Sequence, residues 1–174
     1  LLAMQTPAAI LETIKRLNLD IDYRTDGFFR KETLYGTSLP VKVALPELDD
    51  NESATFSIRW LPEGKLELDD FGSSVREFER RTVTGALNDT LATPLGRIVV
   101  TPTAYWSASE EYPSIHVSRT NLYDCTDNCR GQLTAELSSE DATVIRLAYE
   151  DVSVTRAEDV LNTLISVYNL SLIH

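Results

Sequence analysis

Two cysteines, Cys125 and Cys129, have a spacing that could support chemistry. If the segment around them is helical, both lie on one side of the helix, one turn apart. A zinc site needs four ligands, and the two histidines, His116 and His174, are isolated in the sequence, so a metal site is disfavoured. The pair is predicted to form a local disulfide or two semi-buried thiols, although a helix would hold the Cα atoms near the upper distance limit for a disulfide.

The sequence carries no motif for phosphate binding, dinucleotide binding or a nucleophile elbow. A Ser-His-Asp triad would have to use His116, which falls on the polar side of a predicted strand and is interpreted as a solvated histidine. The paired carboxylates fall in predicted loops or on solvated faces, where no apolar wall would separate their pKa values. We therefore predict no catalytic residue, no metal site and no cofactor.

Three aromatic residues, Tyr105, Trp106 and Tyr112, fall in a polar segment at 104–113 that is predicted to be a loop. Beside Glu110 and Glu111, their rings could stack on sugar rings in a carbohydrate site. Loop aromatics more commonly anchor a long loop to the core. Both interpretations are open at the level of sequence.

Size and charge limit the classes of partner. The 174 residues fit one domain, with enough chain for one large insertion. A net charge of -11 would repel phosphate backbones and anionic headgroups, so nucleic-acid binding is disfavoured. No stretch approaches the roughly 20 apolar residues of a membrane span. The apolar residues at both ends of the sequence suggest a piece of a longer protein.

Hydrophobic periodicity predicts helices at both ends of the chain with strands between them. The first helix is predicted from about Pro7 to Asn18 with Thr6 as its N-cap, and the last begins with a capping box at Thr155 and Glu158. A short helix is predicted over 121–130. Alternation of polar and apolar residues predicts strands over 20–24, 41–45, 55–60, 65–68, 97–101, 114–118, 133–137 and 144–149.

The stretch from Gly72 to Leu95 is the least regular, with a strand predicted over 77–80 and a loop over 88–94. The strand at 144–149 is predicted to be well buried from its apolar density. These elements together predict an α+β fold, with a mostly antiparallel sheet and helices packed on one of its faces.

The segment from Ala157 to Tyr168 reads A-E-D-V-L-N-T-L-I-S-V-Y and resembles a helix motif, A-x-x-[IV]-L-N-x-L-[IV]-x-x-Y, that follows a buried strand and a short link. This motif is typical of the periplasmic domain of polysaccharide chain-length determinants, or polysaccharide co-polymerases, including those of bacterial tyrosine autokinases. Three upstream segments also resemble the family: 14–20, the Leu34-Tyr35-Gly36 entry to the strand at 41–45, and the T-P-x-G segment at 93–96.

The resemblance implies a single, non-catalytic extracytoplasmic domain over 1–174, cut before the family's long helix and lacking both transmembrane spans. Its parent would be anchored in the bacterial inner membrane, with this domain on the periplasmic side, and could be a tyrosine autokinase. Expected partners are other copies of the protein, in a ring, and the machinery that polymerises and exports O-antigen, capsule or exopolysaccharide. The alternative from the residues alone is a periplasmic or surface carbohydrate-binding module that uses Tyr105, Trp106 and Tyr112.

Overall fold

The computed structural model describes residues 3–27, 31–137 and 145–173. Within these ranges the chain divides into two compact units. The strand unit is formed by Ile21–Asn121, and the terminal unit by Leu1–Asp20 together with Leu122–His174. Mixed helices and mostly antiparallel strands make the fold α+β, as the sequence predicts.

The strand unit contains two antiparallel sheets. Its elements are β1 (Ile21–Asp26), β2 (Lys31–Leu34), β3 (Val41–Ala44), β4 (Ala54–Trp60), β5 (Lys65–Ser73), β6 (Val83–Ala86), β7 (Thr90–Thr93), β8 (Gly96–Pro102) and β9 (Ile115–Arg119). A six-stranded sheet has the order β2-β1-β9-β4-β5-β6, and a three-stranded sheet has the order β3-β8-β7.

One apolar core lies between these two sheets. Ile58 and Ile115 enter it from the six-stranded sheet, and Val41 and Ile98 enter it from the three-stranded sheet. The Tyr23 hydroxyl accepts a hydrogen bond of 2.8 Å from the Val43 N–H, which links the two sheets directly. The inner face of the six-stranded sheet is therefore covered by the three-stranded sheet.

The terminal unit contains the helices and a two-stranded sheet. Its elements are α1 (Pro7–Leu17), α2 (Leu122–Gln132), β10 (Leu133–Leu137), β11 (Ile145–Tyr149) and α3 (Val154–Ile173). Its core brings together residues of all three helices and β10, among them Ile14, Cys129, Leu133 and Leu164. Among the described residues, none of the helices combines the length and apolarity that would span a membrane.

Local signals account for the helix ends. Thr6 caps α1 as predicted, because its hydroxyl accepts from the Ala9 N–H at 3.3 Å. The predicted capping box at Thr155 and Glu158 is wrong: α3 begins at Val154, and the Ser153 hydroxyl accepts from the Arg156 N–H at 3.2 Å.

The irregular stretch between Gly72 and Leu95 was predicted wrongly in two places. Residues 77–80 form no strand, and the predicted loop at 88–94 contains β7. In β11, Arg146 and Ala148 are exposed and Leu147 is only partly buried, so the prediction of a well-buried strand is also wrong.

Candidate functional site

A chain of hydrogen bonds joins Ser57, His116 and Asp26 on the outer face of the six-stranded sheet. The Ser57 hydroxyl lies 3.1 Å from Nδ1 of His116, and Nε2 of His116 lies 3.1 Å from Oδ2 of Asp26. Sequence reasoning did not assemble this group and interpreted His116 as a solvated histidine. The structure instead gives the imidazole a partner at each ring nitrogen.

Strand register brings the three residues together. Ser57 of β4 lies directly opposite His116 of β9, and β9 pairs on its other side with β1, which carries Asp26. Alternation along each strand places these side chains away from the core. The alternation was visible in the sequence, but the pairing of β4 with β9 joins residues 59 positions apart and has no local signal.

The burial of this group does not suit nucleophilic catalysis. Ser57 is 7% exposed, whereas the Asp26 side chain is 68% exposed, the reverse of a hydrolytic triad with an accessible serine and a buried carboxylate. Strand β4 is paired on both edges, with β9 and β5, which leaves few free backbone N–H groups for an oxyanion hole. The arrangement is best interpreted as a polar network that ties three strands together.

A buried carboxylate adjoins the same network. Asp69 of β5 lies opposite Ser57, and its Oδ2 atom forms an ion pair of 2.7 Å with Arg59. Its Oδ1 atom is buried and has no hydrogen-bond partner among the described residues. Because that oxygen is inaccessible, it does not extend the network toward a ligand.

Two of the three predicted carbohydrate contacts are engaged in anchoring their loop. Trp106 and Tyr112 stack with ring centroids 4.9 Å apart, and Trp60 contacts both rings at 5.1 and 5.8 Å. The Trp60 Nε1–H donates to the Pro113 carbonyl at 3.0 Å. This aromatic cluster attaches the predicted loop to the end of β4 and partly covers the rings that a sugar would need.

Tyr105 does not belong to the aromatic cluster. Its ring is exposed, and its backbone N–H donates to the Thr103 hydroxyl at 3.2 Å. The structure therefore separates the three predicted residues into a packed pair and one exposed side chain.

Cys125 and Cys129 lie one turn apart on α2, and both are buried free thiols. Burial raises the pKa of the Cys129 thiol and of the neighbouring Tyr149 phenol. The Tyr149 hydroxyl also donates to Oε1 of Gln132 at 2.8 Å. Thiol reactivity requires the thiolate, so Cys129 is a poor nucleophile in this environment.

The described residues contain no group of three or more His, Cys, Asp or Glu side chains placed to hold a metal ion.

The link between β11 and α3 is organised by a buried ion pair. Arg156 donates from Nε to Oδ2 of Asp151 at 2.7 Å and from a terminal nitrogen to Oδ1 at 2.8 Å. The Ser153 N–H also donates to Oδ1 at 3.0 Å. This two-pronged contact fixes the direction in which α3 leaves the strand.

Comparison of the sequence with models of known protein families gives no match. A search of curated proteins likewise finds no match. The family resemblance of α3 and of the three upstream segments therefore stays a prediction from their residues.

Asp151 is expected to make the stability of the terminal unit sensitive to acid. Burial acts to raise the pKa of its carboxyl, but the hydrogen bonds from Arg156 and Ser153 outweigh burial and lower the pKa below its ordinary value. The stabilisation is therefore complete above the unfolded-state pKa and is lost as the pH falls through the folded-state pKa. Asp151→Asn should lower the free energy of unfolding by about 2 kcal/mol at neutral pH and much less at strongly acidic pH.

Helical circular dichroism during urea unfolding at several pH values measures this difference, because all three helices lie in the terminal unit. Glu158→Gln is the matched control, since Glu158 is exposed on the first turns of α3. An Asp151→Asn defect of the same size at acidic and neutral pH would contradict the role assigned to the ionised carboxylate.

Proposed function

We propose that this chain belongs to a membrane-anchored polysaccharide chain-length determinant and acts on the periplasmic side of the bacterial inner membrane. In this proposal it regulates the length or export of O-antigen, capsule or exopolysaccharide by shape and self-association, without catalysis of its own. The parent protein would form a ring and could carry a tyrosine autokinase domain.

The observation that carries the proposal is the packing of α3 within the terminal unit. The motif from Ala157 to Tyr168 falls entirely within this 20-residue helix, which packs against α1 and β11. Val160 and Leu164 of the motif are fully buried in the terminal core, and Leu161 packs beside them. Three apolar positions of the motif, Val160, Leu161 and Leu164, therefore dock α3 on the terminal core, which supports a scaffolding role for this helix.

The two groups that most resemble catalytic sites lack the arrangement that catalysis needs, which also supports a non-catalytic role. The Ser57–His116–Asp26 network has its burial reversed relative to a hydrolytic triad. Burial raises the pKa of the Cys129 thiol, which disfavours the reactive thiolate. Neither group is arranged for bond-making in the described part of the chain.

The test is the oligomeric state of the full-length protein in lipid nanodiscs, measured by light scattering. We expect a closed ring of protomers for the full-length protein and a monomeric or weakly associating species for the 174-residue chain. A full-length protein that stays monomeric at high concentration would overturn the proposal.

A further inference from the structure

A recess lined by hydroxyl groups lies in the strand unit where β4, β5 and β9 come together. It has a volume of about 460 Å³, within the roughly 300–1,000 Å³ of small-molecule sites. Six of its nine lining residues are serine or threonine. These six are Ser53, Thr55, Ser73, Ser74, Ser118 and Thr120.

Three of these hydroxyls are available to a ligand. Thr55 and Ser118 lie opposite each other on β4 and β9, and Thr120 follows the end of β9. Among the described residues, their hydroxyls have no hydrogen-bond partner. Each hydroxyl can donate one hydrogen bond and accept others, which matches the alternating donor and acceptor character of sugar hydroxyls.

The remaining hydroxyls are engaged by the protein and stiffen the recess. Ser53 accepts from Asn121 at 2.9 Å, Ser74 accepts from the Ser53 N–H at 2.9 Å, and Ser73 donates to Glu52 at 2.7 Å. Opposite Thr55, residue 72 is a glycine, and a Cβ there would lie 2.8 Å from the Thr55 hydroxyl. A larger residue at position 72 would therefore clash with the Thr55 hydroxyl and force it to shift.

The charge of the recess differs from that of the rest of the protein. The chain has 27 acidic residues and a net charge of -11, yet none of the nine lining residues is acidic. The one charged lining residue is Arg119, whose guanidinium is fixed by the Asp49 and Glu52 carbonyl oxygens at 2.7 and 2.9 Å. Asp22 lies opposite Ser118, and Glu52 accepts from Ser73, so an uncharged ligand suits the recess best.

We propose that this recess binds one sugar ring of a glycan through the hydroxyls of Thr55, Ser118 and Thr120. This inference deepens the proposed function. It rests on that function only for the identity of the glycan, which would be the polysaccharide whose length is regulated. The site differs from the predicted carbohydrate contacts at Tyr105, Trp106 and Tyr112, because it recognises sugar hydroxyls and offers no aromatic platform. Its openness to solvent and lack of stacking predict weak binding.

Amide chemical-shift titration of the full 174-residue chain tests the site, with a neutral glucan oligosaccharide and an oligogalacturonate as the two probes. We expect at least one probe to give saturable shifts at the amides of Thr55, Gly72 and Ser118. A Thr55→Val and Thr120→Val double variant keeps side-chain shape, and it should weaken binding about tenfold or more. Thr84→Val is the matched control, because Thr84 is exposed on β6 and outside the recess.

Several results would overturn the proposal. These are the absence of saturable shifts with both probes, shifts confined to the segment around Tyr105 and Trp106, or unchanged affinity in a correctly folded double variant. Failure of the sugar titration together with ring formation by the full-length protein would reject the recess and leave the proposed function standing. Sugar binding by a full-length protein that stays monomeric would support the recess as a sugar site and reject the proposed function.

Discussion

Leu164→Ala is expected to lower the free energy of unfolding of the terminal unit by about 2–5 kcal/mol. Leu164 is 0% exposed and lies in a core that also contains Ile14 of α1 and Leu133 of β10. Truncation removes buried methyl groups and leaves a cavity, and the lining residues on several elements cannot all close around it. Such a loss would show that the docking of α3 depends on Leu164, the leucine of the motif that faces the core.

Ile165→Ala is the matched control for that substitution. Ile165 is the next residue of α3 but is 42% exposed, and alanine has the higher helix propensity. We therefore expect a change within about 0.5 kcal/mol. Urea unfolding followed by helical circular dichroism reports the terminal unit, while tryptophan fluorescence reports the strand unit, which holds both Trp60 and Trp106. Equal losses for the two variants would mean that α3 does not dock through the face containing Leu164.

The elements with strong local signals were predictable from the sequence. Thr6 and Pro7 mark the start of α1, and alternation located β4 and β8 to within one or two residues. The T-P-x-G segment proves to be the turn between β7 and β8, where Gly96 has φ of +90° and the Thr93 hydroxyl donates to the Gly96 carbonyl at 2.7 Å. Each of these features depends on neighbours in sequence.

The features that sequence reasoning missed depend on distant partners or on competing local signals. Strands β6 and β7 have only four residues each, which is too short a stretch for polar and apolar alternation in the sequence to mark a strand. Asn88, with φ of +68°, and Asp89 do mark the turn between them, and this pair was a usable signal. For the start of α3, Ser153 and Thr155 are both acceptable caps, and the Asp151–Arg156 pair favours the earlier one.

The candidate sites were even harder to predict, because they depend on residues that are distant in sequence. The Ser57–His116–Asp26 network and the hydroxyl-lined recess both require β4 and β9 to be neighbours. A long stretch of chain, including two strands of the second sheet, separates β4 from β9 in sequence. The aromatic residues at 104–113 were found because they cluster in sequence. Their packing against Trp60, which decides between anchoring and sugar contact, could not be found in that way.

A second large effect is expected at Glu52, whose side chain is 4% exposed. Its Oε1 atom accepts from Ser73 at 2.7 Å and from Arg76 at 2.9 and 2.7 Å. Burial acts to raise the pKa of this carboxyl, but the Ser73 and Arg76 hydrogen bonds and the nearby Arg119 charge hold it below its ordinary value. Glu52→Gln keeps the shape but removes the charge, so it should lower the free energy of unfolding by about 1.5–3 kcal/mol.

Glu47→Gln is the matched control for this effect, because Glu47 pairs with Arg97 at the surface and its side chain is 43% exposed. Exposed ion pairs contribute little, since water already solvates both partners and salt screens their attraction. Tryptophan fluorescence during urea unfolding follows the strand unit, which contains both pairs. If the two variants lost equal stability at neutral pH, the burial of Glu52 would add nothing to the stabilisation that its ion pair provides. A loss confined to Glu52→Gln would instead show that this carboxylate stabilises the end of the sheet where the recess lies.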